Sequence, residues 1–598
     1  SMLATAFEHG HRLTMATDIP KDTTTPARLR ADDFVRGVID SPRDHDWYRV
    51  RLDSGDYVIT LGGTGDRPVG DTLLVLRDAD GAEIDRNDDA DRGSTSGASR
   101  IELTVDGGPT TYFLDVRSLG AFHLPRRDLT VGHAAGEFVL GVNTLDGSPL
   151  DAIAGSVWLA RPVIRVRFAS EGEAGTILDG TRTVESAGWS AYKVRQAMAA
   201  LDTYEAVCGL DFRQARQRPQ ADLTLLLEDR PGANYAGVFE PPGTIGEGTG
   251  VFVSGRDTAF ASPYGTAIGG ALEPGAFGWA LMVHEFGHAL GLAHPHDTGF
   301  GSVVMDKVSG ERDAGAYGLN EARYTVMSYR GTADSRQYYE GHVLGPMAFD
   351  IAALQARYGA TRAHGGDDVY RLPVRNGAGT GFACLWDTGG EDTIRAGDTG
   401  RDVTIDLGAA SLLYERGGGG FLSSARGVHG GLTIANGVAI ENATGGGGDD
   451  RLIGNALDNR LSGGDGRDRF LGRAGADRID AGDDDDRDVF VYRGAGDSAP
   501  GQGDRIGSFD NRSTRDEAVW DRIDLGALDG DPDARGDQPL RFVHRLAEAG
   551  PGETPGQVCA EARGHDVAVR IDLDGDGDAD MRITVLDVGR LTASDLLL

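Results

Sequence analysis

The sequence predicts a multidomain α+β chain in which an N-terminal β-sandwich, a central α/β layer and a C-terminal parallel β-roll follow one another. Three observations carry this prediction: short alternating apolar runs early in the chain, a strand, helix, strand, helix pattern in the middle, and a nine-residue Gly/Asp repeat near the end. A chain of 598 residues is long for one core, which supports several domains. The expected boundaries are an N-terminal extension over 1–29, the sandwich over 30–145, the α/β region over 146–360 and the roll over 361–598.

Composition narrows the function. Asp+Glu number 93 against Lys+Arg 59, a net charge of -34, which repels nucleic acid and anionic membranes and favours cations. No nucleic-acid partner and no membrane insertion are expected, and the chain is expected to be a monomer. Gly is 90 of the 598 residues and is concentrated in the C-terminal half, a mark of local repeats. Cys208, Cys384 and Cys559 are widely spaced and odd in number, which fits packed thiols rather than a disulfide framework.

The sandwich is read from "DWYRVRL", "DYVITL", "TLLVLRD", "RIELTV" and "TYFLDV", each alternating in polarity and bounded by Gly/Asp/Pro turns. The acidic turn Asn87, Asp88, Asp89, Asp91 reads as a solvated loop. The stretches "GVIDSPRDHDWYRVRLDSGDYVITL" and "DTLLVLRDADGAEIDRNDD" resemble the pre-peptidase C-terminal domain that accompanies many secreted bacterial proteases. Residues 141–155, "GVNTLDGSPLDAIAG", read as a linker, so the module is expected to fold by itself.

The α/β layer begins with the strand "VIRVRF". A helix follows, with apolar residues at helical spacing from Val194 through Ala206, and then the buried strand "ADLTLLLED". Such a layer offers a cleft beside an edge strand for an extended peptide. A second helix carries "HEFGHALGLAH", from His284 to His294. With 14 His in 598 residues, three at these offsets recur by chance about once in 80,000 positions. His284 and His288 project from one helical face, Gly291 can end the helix in the left-handed conformation, and the returning chain delivers His294. Three imidazoles leave zinc a position for water, the signature of a catalytic site, and Glu285 stands beside them as general base.

This motif matches the metzincins, and the chain resembles their serralysin branch in "YTVMSYR", in "HP" at His294 and Pro295, and in "FDIAALQARYGA". The resemblance implies Met327 as the Met-turn methionine and Tyr329 as a further zinc ligand that swings away to stabilise the oxyanion. His296 departs from the family, which often has Gly there, and reads as a solvent-facing loop residue.

From residue 445 the repeats run "GGGGDDRLI", "GNALDNRLS", "GGDGRDRFL", "GRAGADRID" and a decayed "AGDDDDRDV", matching the repeats-in-toxin pattern of parallel β-rolls. Leu452, Leu461, Phe470 and Ile479 are the positions the roll would bury. Turns 18 residues apart stack, which places Asp450 over Asp468 over Asp486 and Asn459 over Asp477. Such columns repel unless calcium lies between them, with backbone oxygens supplied from Gly446, Gly448, Gly463, Gly464, Asp465, Gly466, Gly472 and Ala474. The resemblance to serralysins implies a further calcium ligand at Glu441, and a first calcium loop built from His364, Gly366, Asp368, Asp387, Gly389, Gly390 and Asp392. "IDLDGDGDAD" reads as a tight hairpin turn, with a calcium loop as the second reading, and "VLDVGRLTASDLLL" resembles the C-terminal signal read by type I secretion machinery.

The resemblance thus implies a secreted, extracellular, calcium-stabilised zinc endopeptidase acting on protein and peptide substrates. A calcium-dependent adhesin on an inactive protease scaffold is the alternative, disfavoured by intact Glu285 and Tyr329. Whether the N-terminal module is a spacer, a substrate-binding domain or an inhibitory prosegment stays open at this point.

Overall fold

The computed structural model describes residues 22–598 apart from 65–66, 89–97, 121, 125–128, 132, 160, 178–181, 231–235, 245, 254–271, 332–339, 512–518, 531–535, 537 and 548–554. Asp89 and Asp91 of the acidic turn lie outside the described residues. The chain is mostly β with few helices. It divides into two compact units, one of residues 1–361 with 412–419 and the other of 362–411 with 420–598.

In the first unit, residues 28–145 form a five-stranded and a four-stranded sheet, mostly antiparallel, around one apolar core. Alternation builds it. Along His45–Leu52, Tyr48, Val50 and Leu52 point into the core while Arg49 and Arg51 point away. Strand Gly136–Leu145 pairs with both Asp33–Ile39 and Gly55–Gly63, so residues 141–145 belong to the sheet and not to a linker.

The next sheet has the order Asp211–Gln214, Val163–Phe168, Leu223–Glu228, Thr249–Val253, Gly237–Phe239. Its first four strands are parallel, and Gly237–Phe239 lies antiparallel at the edge, paired only with Thr249–Val253 among the described residues. Helix α1 (Ala191–Glu205) starts at Ser190, whose hydroxyl accepts from the Lys193 N–H at 3.3 Å. It buries Ala197, Ala200, Leu201 and Tyr204, the i, i+3, i+4, i+7 stripe of an amphipathic helix. The Tyr204 hydroxyl donates to the Val283 carbonyl at 2.6 Å, tying α1 to α2 (Phe277–Ala289). A third helix, α3 (Ala348–Tyr358), precedes the second unit.

The second unit winds as a parallel β-roll. One column stacks Asn442–Thr444, Arg460–Ser462, Arg478–Asp480 and Arg505–Gly507; the other stacks Val403–Asp406, Arg451–Ile453, Arg469–Leu471, Val489–Val491 and Arg522–Asp524. Leu452, Leu461, Phe470 and Ile479 are buried as the repeat predicts, and Phe470 stacks on Phe490 with ring centroids 5.2 Å apart. Phe470 registers with Phe490, twenty positions on, so the decayed repeat carries two extra residues. Asp488 therefore takes the place expected for Asp486: the Asp468 N–H donates to Asp488 Oδ1 at 2.7 Å, while Asp486 is exposed. "IDLDGDGDAD" joins the antiparallel strands Asp566–Asp572 and Met581–Val585, a hairpin whose connection is longer than a tight turn.

Candidate metal centre

Helix α2 is apolar almost all round and buried, so its polar residues are there at a cost that needs a counterpart. His284, Glu285 and His288 are 9%, 5% and 5% exposed. The helix ends at Leu290, and Gly291 takes φ 93°, where a Cβ would lie 2.5 Å from the Val157 carbonyl oxygen. The reversed chain is pinned by Gly155 N–H to Gly291 O and Ala293 N–H to Ile153 O, at 2.9 and 2.8 Å, and presents His294.

Each ring's Nδ1 faces an acceptor: His284 the Val326 carbonyl at 2.7 Å, His288 the Leu292 carbonyl at 2.9 Å, His294 the Asp297 carboxylate at 3.0 Å. These partners place the proton on Nδ1 and turn the three Nε2 atoms toward one another. The His294 Nε2 lies 2.9 Å from that of His288 and 3.3 Å from that of His284. Three convergent lone pairs repel one another unless a cation joins them. Tetrahedral zinc with bonds of about 2.05 Å sets its nitrogens about 3.3 Å apart, so the donor set fits zinc.

Glu285 reaches toward the edge strand, where its carboxylate accepts from the Phe239 backbone N–H. Gly237 makes the room, since a Cβ there would lie 2.8 Å from Glu285 Oε1. Burial pushes the Glu285 carboxyl up to about 8, with Glu240 adding to the rise.

Tyr329 is half exposed and stands over the histidines, its ring 5.5 Å from that of His284 and 4.6 Å from that of His294. Met327 is fully buried beneath α2, and a Cβ on Gly287 would lie 2.6 Å from its sulfur. The turn that holds it is set by Asp350 of α3, which accepts from Thr325 Oγ1, the Val326 N–H and the Met347 N–H at 2.7, 2.7 and 2.8 Å. His296 does not face solvent as expected: its side chain is 10% exposed and stacks on His294, centroids 4.8 Å apart, and against Tyr329 at 4.7 Å.

In the second unit, carboxylate oxygens of Asp368, Asp387 and Asp392 lie within 4.8 Å of one another. Gly389 and Gly390 take φ 134° and 147°, and the Gly366 carbonyl comes so close that a Cβ on Gly390 would lie 2.2 Å from its oxygen. Glu441 is tied in through the Asp392 N–H at 2.9 Å, and His364 Nδ1 is 3.6 Å from Asp368. Buried oxygens of Asp392, Asp468 and Asp477 have no hydrogen-bond partner. Orphaned buried carboxylate oxygens are what an oxygen-seeking cation satisfies. In the roll the Asp450 N–H donates to Asp468 at 2.8 Å and the Asn459 N–H to Asp477 at 2.8 Å, and the columns continue into Asp488, Asp504 and Asp521. Asp504 and Asp521 were invisible in the sequence because the nine-residue spacing has lapsed there. Asp297 and Asp350 were missed because nothing local distinguishes a positioning carboxylate from a solvated one.

Among known proteins, the family model "Peptidase M10 serralysin C terminal" matches residues 375–598. Metallopeptidase AprA of Pseudomonas marginalis is 37% identical over 340 residues, 54% of this chain and 63% of the relative. Serralysin of Proteus mirabilis is 30% identical over 282 residues, 44% of this chain and 54% of the relative. The chain thus spans under two thirds of the length of these two relatives. Metalloprotease AprA of Pseudomonas entomophila is 33% identical over 422 residues, 67% of this chain and 78% of the relative. With that breadth of likeness, and with the histidine cluster and the repeats in their expected places, the chain belongs to the serralysin family of metallopeptidases.

Proposed function

We propose that this chain is a secreted zinc endopeptidase that hydrolyses peptide bonds within proteins, with Glu285 as general base and calcium stabilising the roll. The observation that carries the reading is the convergence of three Nε2 atoms with a buried carboxylate on the same helix. In this reading residues 28–145 are a β-sandwich similar to a pre-peptidase C-terminal domain, and the central sheet with α1 to α3 is a metzincin-like α/β domain.

His284, His288 and His294 would hold zinc, with Tyr329 as a further ligand in the resting site. Zinc supplies Lewis acidity, which polarises a scissile carbonyl and acidifies water. Glu285 takes a proton at its carboxylate and returns it to the leaving amine; the Phe239 N–H fixes the orientation of that carboxylate. The Tyr329 phenol donates to the oxygen that gains charge as the carbonyl is attacked. Among the described residues no strand pairs with the outer side of Gly237–Phe239, where the Phe239 N–H meets Glu285, and an extended substrate would lie along it. Calcium would be held by the clustered aspartates and glycine carbonyls of the second unit, and the final strands would present the signal for type I secretion machinery.

Replacing Glu285 with Ala tests the reading. Zinc content should stay at one equivalent while casein and peptide hydrolysis falls by at least about 100-fold, the usual worth of a general base. Near-normal turnover at full zinc occupancy would refute it.

A further inference from the structure

The edge strand that borders Glu285 is three residues long and, among the described residues, paired with one strand only, too little to hold itself in place. Its connection to Thr249–Val253, described at residues 240–244 and 246–248, is gripped by the N-terminal module. Arg36 on strand Asp33–Ile39 makes a bidentate pair with Glu247, both N–O distances 2.7 Å, and also donates to Thr64 Oγ1 at 2.8 Å. The two side chains are only 20% and 25% exposed. Glu247 in turn accepts from the Gly243 N–H at 2.8 Å, closing the loop on itself. Gly243 has φ 88°, and a Cβ there would meet Val139 of the module and Val157 at 3.0 Å.

This grip rests on an extended interface. Phe34 and Val139 of the module form a cluster with Val157 and Trp158, the Phe34 and Trp158 rings meeting edge to face at 4.9 Å. Arg357 of α3 lies 4.1 Å over Trp158 and donates to Asn143 of the module at 3.2 Å. Thr60 and Ser156 share a hydrogen bond of 2.7 Å. A tethered, independently mobile module would not pack this way.

We propose that the N-terminal module is a brace for the substrate-receiving edge strand, with Arg36 and Glu247 as its positioning pair. The pair fixes the loop 240–248, the loop fixes the edge strand, and the edge strand fixes Glu285 through the Phe239 N–H and the close approach of Gly237. The proposal rests on the peptidase reading for its consequence, while the mechanical link stands on geometry alone. It replaces the spacer and prosegment readings with a role in substrate affinity.

The test uses the full chain, zinc-loaded, as Arg36→Gln, as Glu247→Gln and as the charge swap Arg36→Glu with Glu247→Arg. Amide hydrogen exchange over 237–253 should speed up by about tenfold in either single variant, and the swap should restore much of the protection. For a long peptide KM should rise several-fold because the strand it would pair with is loosened, and kcat should fall for long and short peptides alike because the same strand orients Glu285. Glu247→Gln is isosteric, so it reports even if Arg36→Gln folds poorly. Unchanged exchange over 237–253 in a folded single variant overturns the brace, and so does raised exchange with an unchanged KM for the long peptide. If the wild type cleaves no peptide but the variants still show raised exchange, the peptidase reading fails and the mechanical brace stands.

Discussion

Removing calcium at neutral pH is expected to unfold the roll, and lowering the pH is expected to restore it. Asp450, Asp468, Asp477, Asp488, Asp504 and Asp521 are each 3% exposed or less. Burial, reinforced by neighbouring carboxylates, pushes Asp450 to about 6, Asp477 and Asp521 to about 7, Asp488 and Asp504 to about 8 and Asp468 to about 9. A carboxyl raised in the folded state holds its proton there after the unfolded chain has released it. Stability without calcium therefore falls as the pH climbs from about 4, where unfolded carboxyls ionise, toward about 9. For Asp450 alone the rise from 3.8 to about 6 corresponds to a loss on the order of 3 kcal/mol at neutral pH. The six lie in two stacked columns and raise one another, so charging them without a cation between them opposes folding. Calorimetry of the calcium-depleted full chain should show a roll transition at about pH 5 that moves down in temperature or vanishes by about pH 8, and that calcium restores. A transition in calcium-free protein as stable at the higher pH as at the lower would refute the argument.

Three further outcomes are expected. Asp488→Ala should raise the calcium midpoint for roll formation, followed by circular dichroism, while Asp486→Ala leaves it in place, because only Asp488 lies in the column. Tyr329→Phe should lower kcat more than it changes KM in steady-state peptide assays, since an oxyanion donor acts mainly in the transition state. Gly237→Ala puts a methyl 2.8 Å from Glu285 Oε1 and should lower kcat by about tenfold or more with zinc content unchanged, measured by metal analysis beside turnover.

What could be read from the sequence was what local chemistry dictates. His284, Glu285, His288, Gly291 and His294 act within eleven residues, so their spacing alone foretold a convergent site. Leu452, Leu461, Phe470 and Ile479 were legible because a roll repeats its environment. The reading failed where a fold brings distant residues together or where periodicity slips. Asp350 and Gly237 reach the site from elements far along the chain, and Asp486 was mistaken for Asp488 because two extra residues shift the register without disturbing the apolar pattern. The stretch after Gly141 looked like a linker because Asn143, Thr144 and Asp146 are polar; yet Asn143 is buried, and its amide oxygen accepts from Arg357.

The two columns of the roll are continued by strands that lie close together in sequence. Met581–Val585 pairs with Arg505–Gly507, and Leu596–Leu597 pairs with Arg522–Asp524. A stack of parallel strands otherwise presents a bare row of amides and carbonyls at its growing end, ready to template a neighbouring chain. Here Leu596–Leu597 covers one column, and Met581–Val585 covers the other and hands it on to the antiparallel strands Asp566–Asp572 and Gln557–Arg563. A chain cleaved just before 581 that then lost the segment after the cut would carry two open edges, and aggregation, rather than simple loss of stability, is the fate such an edge invites.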